Sequence, residues 1–329
     1  MNTNLRSGGF AGIVFLLITG IISVANAAQR IARIGLLVPE NGPAELQTLK
    51  GLKDRLKELG YVEGDNLVLE LKEMRGDRSG LKADANDLVQ KKVNVIFTMG
   101  TRATNVARTA TKDIPIVFRH PADPVAVGFV KNLKHPESNV TGVAAFSTDM
   151  NSKRIEILKT VVPNLRRIHV FYDSNNRYSP DNFLAVERAA PKLQVEVVDH
   201  PVKTVTELAK SLDKLQVRDG DAILQVSDDL FESQADNVFD AAKKLKLPTM
   251  FDDESWAAKG SLLTYGANYT QMGRQAAEII VKLLNRAKPK EVPVVAANKF
   301  DLVVNLRTAN AIGVSVPADV LKRADKVIR

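Results

Sequence analysis

The chain has 329 residues, enough for two domains of ordinary size, and its 45% hydrophobic and 26% charged residues are typical of a soluble globular protein. It contains no cysteine, which excludes disulfides, thiolate metal sites, a cysteine nucleophile and a lipid-anchored cysteine. The net charge of +8 comes without a block of Lys or Arg, so no nucleic-acid partner is expected.

The first 27 residues have the pattern of a secretory signal peptide. Arg6 precedes an apolar run over residues 10–24, and Ala25, Asn26 and Ala27 form a small-x-small cleavage site. The run is shorter than the roughly 20 apolar residues that a membrane-spanning helix needs. We therefore predict cleavage after Ala27 and a protein free in the periplasm, with an uncleaved N-terminal anchor as the alternative.

Strand-like apolar runs alternate with segments of helical periodicity in the first half of the remaining chain. Strands are predicted over residues 31–38, 66–71, 93–98, 114–118 and 140–146, and helices over residues 46–60, 81–89, 102–111 and 124–133. Such an alternation favours a parallel sheet with right-handed crossovers and helices on its faces.

The same rhythm restarts in the second half and changes in the last 70 or so residues. Helices are predicted over residues 153–161, 182–190, 205–215 and 231–245, and strands over residues 167–172, 194–198, 221–226 and 248–251. The tail combines strand-like residues 262–265, a helix over 271–284, strand-like residues 292–295 and 301–305, and a helix from Pro317. It is too short for a third domain, so we expect it to cross back over both sheets.

The loops that follow the strands are the candidate binding loops, because doubly wound sheets bind ligands at the carboxyl ends of their strands. Gly100 and Thr101 open a helix directly after a strand, where Thr101 as N-cap and the free amides behind it suit a carboxylate. The acidic loops around Asp173, Asp228 and Asp253 suit an ammonium group. Together they point to a zwitterion such as an amino acid, with simple helix capping as the alternative reading of each loop.

Motifs for catalysis, nucleotides and metals are missing from the sequence. It contains no G-x-G-x-x-G, G-x-x-x-x-G-K-[ST], H-E-x-x-H or G-x-S-x-G, and its four histidines share no metal-ligand spacing. His169 falls in a predicted strand, whereas His135 and His200 look like loop residues, and Arg119 and His120 fall in a predicted loop after a strand. We expect no cofactor and no metal, and a binding protein rather than an enzyme.

Several segments in collinear order resemble the substrate-binding proteins of ABC importers, in the branch that includes tryptophan- and tyrosine-binding members. The segments are residues 51–67 (GLKDRLKELGYVEGDNL), 114–118 (IPIVF) with 123–125 (DPV), 139–143 (NVTGV), 153–159 (KRIEILK), 261–266 (SLLTYG) with Tyr269 and 273–275 (GRQ), and 299–306 (KFDLVVNL). They span nearly the whole chain after the signal peptide, which makes the resemblance more specific than any single motif.

The resemblance implies two doubly wound parallel-sheet α/β lobes of the periplasmic binding protein-like I type, joined by a three-segment hinge. The N-terminal lobe would comprise residues 28–146 and about 265–298, and the C-terminal lobe residues 147–264 and about 299–329. The hinge would lie near residues 146–148, 261–265 and 299–301. The cleft-lining residues implied are Glu40, Asn41, Gly100, Thr101, Asp123, Ser147, Thr148, Ser227, Asp228, Asp253 and Tyr265.

The function implied is capture of a small polar solute, amino acid-like or anionic, and its delivery by a monomer to an ABC permease in the inner membrane. Relatives often carry small or neutral residues where this chain has Arg102, Arg119 and His120. Those cations suit an anionic group and count against an aromatic amino acid as the ligand.

Two other functions stay open from the sequence. A ligand-sensing receptor module can have the same fold, although neither a DNA-binding headpiece nor a second spanning segment is visible. An exported α/β hydrolase is the third possibility, with Ser147, Ser227 or Ser255 as candidate nucleophiles. No pattern in the sequence puts a histidine beside any of these serines.

Overall fold

The computed structural model of the protein describes residues 31–38, 42–73, 80–120, 122–175, 179–226 and 228–329. The signal peptide predicted over residues 1–27 lies outside these ranges. Within them, no helix combines the length and the apolar character that a membrane span requires.

The first half of the chain forms five strands separated by helices and loops. The strands are β1 (Ala32–Val38), β2 (Leu67–Glu73), β3 (Val95–Met99), β4 (Ile116–His120) and β5 (Val140–Ala144), and the helices are α1 (Pro43–Glu58), α2 (Gly80–Gln90) and α3 (Gly100–Ala110). A short 3-10 helix over Ser147–Met150 then leads into the second half.

The second half continues the alternation. Its elements are α4 (Asn151–Val161), β6 (Arg167–Asp173), α5 (Ser179–Ala189), β7 (Glu196–Val202), α6 (Val205–Asp213), β8 (Asp221–Leu224), α7 (Asp229–Ser233), α8 (Ala235–Lys244), β9 (Thr249–Phe251), α9 (Glu254–Lys259) and β10 (Leu263–Ala267). The tail adds α10 (Tyr269–Leu284), β11 (Val295–Ala296), β12 (Phe300–Asn305), α11 (Leu306–Ile312), α12 (Ala318–Arg323) and β13 (Lys326–Ile328).

The strands form two sheets. The first has the order β11-β5-β4-β3-β1-β2 and is parallel throughout. The second has the order β13-β12-β10-β9-β8-β6-β7, in which only the β10–β12 pair is antiparallel. The prediction of two doubly wound α/β lobes is confirmed.

Helices cover both faces of each sheet. Consecutive residues of a strand point to opposite faces, so neighbouring residues belong to different apolar clusters. On β1, Leu36 belongs to the apolar cluster under α1 and α10, whereas Leu37 belongs to the cluster under α2 and α3. The second sheet likewise has one cluster with α4 and α5 and another with α6 and α8. This two-sided burial explains the near-continuous apolar runs in the sequence.

The tail crosses between the sheets as expected, but at a different second position. β10 pairs with β9 and β12 in the second sheet, and the chain leaves that sheet only after Ala267, so the crossing predicted at residues 261–265 is displaced. α10 then packs on α1, β11 extends the first sheet, and β12 returns to the second. The lobe boundaries themselves stay a prediction.

Several local predictions are wrong. Residues 124–128 form turns instead of a helix, because Gly128 takes a φ of +73° and the Phe129 amide bonds back to the Pro124 carbonyl. The single helix predicted over residues 231–245 is broken at Gln234, whose φ and ψ of −115° and 17° are not helical. Arg119 and His120 belong to β4 and not to the loop after it.

Two glycines let α1 and α10 approach closely. A Cβ atom on Gly51 would lie 1.9 Å from the carbonyl oxygen of Thr270, and one on Gly273 would lie 2.1 Å from that of Thr48. Both distances are far below van der Waals contact, so no other residue fits at either position without moving a helix.

A hydrogen-bonded chain of Asp221, His169 and His200 links three neighbouring strands of the second sheet. His169 Nε2 lies 3.1 Å from Asp221 Oδ2, and His169 Nδ1 lies 2.9 Å from His200 Nε2. Arg167 pairs with the same carboxylate, and Phe171 stacks on the His200 ring. The interpretation of His200 as a loop residue is therefore wrong, since it lies in β7.

Burial and hydrogen bonding shift the pKa values of all three side chains in this hydrogen-bonded chain. Desolvation lowers the pKa of His169 and lowers that of His200 to about 4. Hydrogen bonds from Arg167 and from the Arg218 amide outweigh desolvation at Asp221 and lower its pKa to about 2. Both histidines are thus neutral, and Asp221 is ionised, in the folded protein at pH 7.

We expect Gly51→Ala to destabilise the fold by about 1–3 kcal/mol, because the added methyl group overpacks the α1–α10 contact. Gly80→Ala is the matched control, since a Cβ there meets no atom within 4 Å. Urea denaturation of both variants measures the difference. Equal stability of the two variants would contradict the close approach of the helices.

We expect the free energy of unfolding to fall as the pH drops from about 6.5 towards 4. The unfolded chain binds protons on His169 and His200 near their ordinary pKa, whereas the folded protein binds them only at lower pH. Urea midpoints across this range measure the slope, and His200→Phe, which keeps the stacking on Phe171, should make it shallower. An unchanged slope in that variant would contradict the assignment.

Candidate functional site

Parallel α/β sheets bind ligands at the carboxyl ends of their strands, so the space between these ends of the two sheets is the candidate cleft. The two sides touch at one edge, where Gln47 Nε2 on α1 donates to Glu254 Oε1 on α9 at 2.7 Å. Parallel sheets present backbone amides, helix starts and loop side chains at this end. The candidate site is therefore built from the first turn of α3 on one side and the start of α9 on the other.

The first-lobe side centres on the start of α3. Gly100 has a φ of +78°, which turns the chain from β3 directly into the helix. The prediction that Thr101 is the N-cap is wrong, because Met99 occupies that position. The Thr101 hydroxyl lies 2.8 Å from His120 Nε2 instead. The first amides of the helix have no intrahelical acceptor, so this end attracts an anionic group.

Arg119, at the end of β4, is buried against Glu45 and Tyr269. Its guanidinium lies 3.1 Å from Glu45 Oε1 at the start of α1 and 4.6 Å from the centre of the Tyr269 ring at the start of α10. Its Nε is buried and has no hydrogen-bond partner within the described residues. Arg119 is therefore held by its own lobe and does not act as a free surface cation.

The second-lobe side contains Asp253, the N-cap of α9. Its Oδ1 accepts from the amide of Ser255 at 2.8 Å and from the Ser255 hydroxyl. Its Oδ2 is buried and lacks a partner among the described residues. Desolvation, reinforced by Asp252 and Glu254, raises the pKa of Asp253 to about 6 against the effect of the Ser255 bonds. A buried carboxylate oxygen in this state requires a donor or a cation.

Asp228 has a different environment. Its Oδ2 accepts from the Asp173 amide and its Oδ1 from the Phe231 amide, both at 2.9 Å. These bonds hold the loop after β8 against the loop after β6 and cap α7. The contacts of its carboxylate assign Asp228 a structural role at the cleft edge.

A second buried guanidinium, that of Arg154, joins the start of α4 to β10. Arg154 on α4 donates through Nε to the Tyr265 carbonyl at 2.8 Å and through a terminal nitrogen to Asn151 Oδ1 at 3.0 Å. The Tyr265 ring stacks on Phe300 of β12. These contacts fix β10 immediately before the chain crosses to α10.

The other described residues predicted to line the cleft lie in the turn after β4 and in the 3-10 helix before α4. Asp123 caps the turn that follows, accepting from the Val125 amide at 2.8 Å, and Ser147 begins the 3-10 helix that includes the backbone of Thr148. Glu40, Asn41 and Ser227 lie outside the described residues. Gly100, Thr101 and Asp253 thus make the best-defined part of the predicted set, which as a ligand-binding set stays a prediction.

Sequence reasoning assigned no site role to Glu45, Gln47 and Arg154, and included Glu254 only as part of the acidic loop around Asp253. Each of them lies inside or at the start of a helix, where a polar side chain normally faces solvent. The one available signal was position, because Glu45 and Gln47 follow a strand-end loop and Glu254 follows Asp253. Among the described residues, no three His, Asp or Glu side chains gather into a metal site.

Comparisons with known proteins agree on one family. The family model described as ABC transporter substrate binding protein matches residues 33–328. A tyrosine-binding protein of Clostridioides difficile is 28% identical over 286 residues, which cover 87% of this chain and 82% of that protein.

Two solved structures are similar over their whole length. An ABC domain from Streptococcus pneumonia in complex with L-Trp has a TM-score of 0.80 and 27% identity, covering 90% of this chain and 99% of that one. A ligand-free, open substrate binding protein with adhesive properties from Clostridium difficile has a TM-score of 0.76 and 27% identity, covering 91% and 99%. The names of these relatives describe binding of tyrosine, of L-Trp and of a substrate.

We expect Asp253→Asn to stabilise the ligand-free protein, by up to about 3 kcal/mol at pH 8 and about half of that at pH 5. The folded-state pKa of Asp253 is raised, so its carboxylate costs more stability as the pH rises through about 6, whereas asparagine stays neutral and keeps the capping oxygen. Thermal unfolding at both pH values measures this, with exposed Asp236→Asn as the control. A destabilised D253N at pH 8 would contradict the unpaired state of Oδ2.

Proposed function

The chain belongs to the family of ABC transporter substrate binding proteins, and we propose that it captures an α-amino acid between its two lobes for delivery to an ABC permease in the inner membrane. The observation that carries the choice of ligand is the buried, unpartnered Oδ2 of Asp253 on one side of the cleft. An α-ammonium group is the cation that would complete it. The first turn of α3, with Thr101 and free backbone amides, supplies donors for the α-carboxylate.

L-tyrosine and L-tryptophan are the first candidates. The relatives described above bind tyrosine or were solved with L-Trp, and the argument from the sequence against an aromatic ligand rested on Arg102, Arg119 and His120 as free cations. Arg119 is paired with Glu45, and burial lowers the pKa of His120 to about 4, so neither presents a free charge at pH 7. Two of the three cations behind the objection to an aromatic amino acid are thereby removed, and Arg102 is exposed on α3.

Binding would proceed by closure of the lobes on the ligand. A ligand shifts an open–closed equilibrium only if it binds the closed form more tightly, which here requires simultaneous contact with α3 and the Asp253 loop. The solute would leave chemically unchanged, so the protein would have no enzymatic activity. Proteins of this family are usually exported, and we propose a monomer in the periplasm after cleavage behind Ala27.

Calorimetric titration of residues 28–329 with L-tyrosine, L-tryptophan and a panel of other amino acids tests the proposal. We expect saturable binding of at least one amino acid, and a stabilisation of about 2.7 kcal/mol when the ligand is at 100 times its Kd. Thr101→Val and Asp253→Asn should weaken that binding at least about tenfold, because each removes a bond to a charged group. Asp236→Asn on the surface should leave it unchanged.

The controls separate the possible failures. Denaturing and refolding the protein removes any amino acid that stayed bound through purification. Mass spectrometry of the material released on denaturation identifies such an amino acid. Absence of binding by the refolded, cooperatively unfolding protein would overturn the assignment of an amino acid. Full affinity in D253N would overturn the role given to the second lobe.

A further inference from the structure

The two ring nitrogens of His120 have different partners. Nδ1 lies 3.0 Å from the backbone nitrogen of Ala122, which donates to it, while the Ala122 carbonyl is farther away at 3.3 Å. The ring is buried and packs edge-on against Phe129, with centroids 4.9 Å apart. Because Nδ1 accepts an N–H, the proton of the neutral imidazole is on Nε2.

The surroundings keep this imidazole neutral. Burial is the main cause that lowers its pKa to about 4, and the neighbouring Arg119 lowers it further. Asp123 and the Ala122 backbone act in the opposite direction but do not offset the burial. The Nε2 tautomer is therefore the state of His120 at neutral pH.

This tautomer determines what the Thr101 hydroxyl does. Nε2–H points to Thr101 Oγ1 at 2.8 Å, so the hydroxyl accepts there and its single proton is left for another partner. Thr104 in the same helix donates its own proton back to the Gly100 carbonyl at 2.8 Å. No such bond joins Thr101 to another group in the described part of the chain, and its side chain is half-exposed at the cleft.

We propose that His120 is a positioning residue that fixes the Thr101 hydroxyl as a hydrogen-bond donor into the cleft. The cleft then offers more donors than acceptors at this point, since the amides of the α3 start lie beside the hydroxyl, which keeps one free lone pair. A ligand group that accepts and does not donate, such as a carboxylate, fits best there, whereas a primary amide or an alcohol brings protons for which only that lone pair is left. As a statement about the ligand, this inference rests on the proposed function, but the tautomer does not.

The test begins without a ligand. In the ¹⁵N-labelled mature protein at pH 7, a long-range ¹H–¹⁵N spectrum should show His120 protonated at Nε2 and unprotonated at Nδ1. His120→Gln serves to assign the signals. An Nδ1–H tautomer or an imidazolium would overturn the proposal, whether or not any amino acid binds.

Variants then measure the effect on affinity for L-tyrosine or L-tryptophan, whichever binds the wild type. We expect His120→Phe, which keeps a ring against Phe129, to weaken binding about 3- to 10-fold, and His120→Gln, whose amide can donate to Thr101, to restore most of it. Adding His120→Phe to Thr101→Val should cost little more than Thr101→Val alone, because both remove one interaction. Additive losses, or equal losses in the Phe and Gln variants, would overturn the positioning role.

Failure of the proposed function gives a different pattern. In that case the wild type binds neither amino acid while His120 still shows the Nε2–H tautomer. Binding by the wild type with an unchanged Kd in His120→Phe would instead leave the amino-acid assignment intact and remove the role of His120.

Discussion

Desolvated charge is the constraint on which the arrangement around the cleft depends. A buried guanidinium without partners costs several kcal/mol, so its neighbours have little freedom to move. Arg119 ties the end of β4 to the starts of α1 and α10, and Arg154 ties α4 to β10. These contacts fix the ends of the elements between which the chain passes from one lobe to the other. The polar loops at the cleft are therefore held by a rigid frame.

Asp253 differs from these two arginines in how far its charge is paired. One oxygen is satisfied by Ser255 in its own loop, and the other is buried without a partner in the described residues. Such an arrangement costs stability in the free protein, and the cost is recovered when a cation arrives. Functional sites commonly carry a local cost of this kind, because a site that satisfies itself has no remaining affinity for a ligand.

The sequence was sufficient to predict most strands and helices, since runs buried on both faces and helical periodicity are local patterns. It also placed Gly100, Thr101 and Asp253 directly after strands, where the structure has them, because a strand followed by glycine or polar residues is a local signal. The hydrogen-bonded chain of Asp221, His169 and His200 could not be predicted. Its members come from three strands, and they become neighbours only because β6 lies between β7 and β8 in the sheet. The two-residue error at the end of β4 had a larger effect: within the strand, Arg119 and His120 face opposite sides, and neither is the free cation that a loop would display.

The close contact of α1 with α10 also affects how the protein folds. Arg55 on α1 and Glu278 on α10 hydrogen-bond although they are 223 residues apart in the chain. One apolar face of the first sheet thus has only α1 on it until α10 is available late in the chain, even though the first five strands come earliest. Contacts of such long range raise the contact order and slow folding. Until α10 packs on α1, the first lobe exposes apolar surface that is prone to aggregation. A partly synthesised chain that ends before α10 would therefore leave part of this apolar face exposed to water.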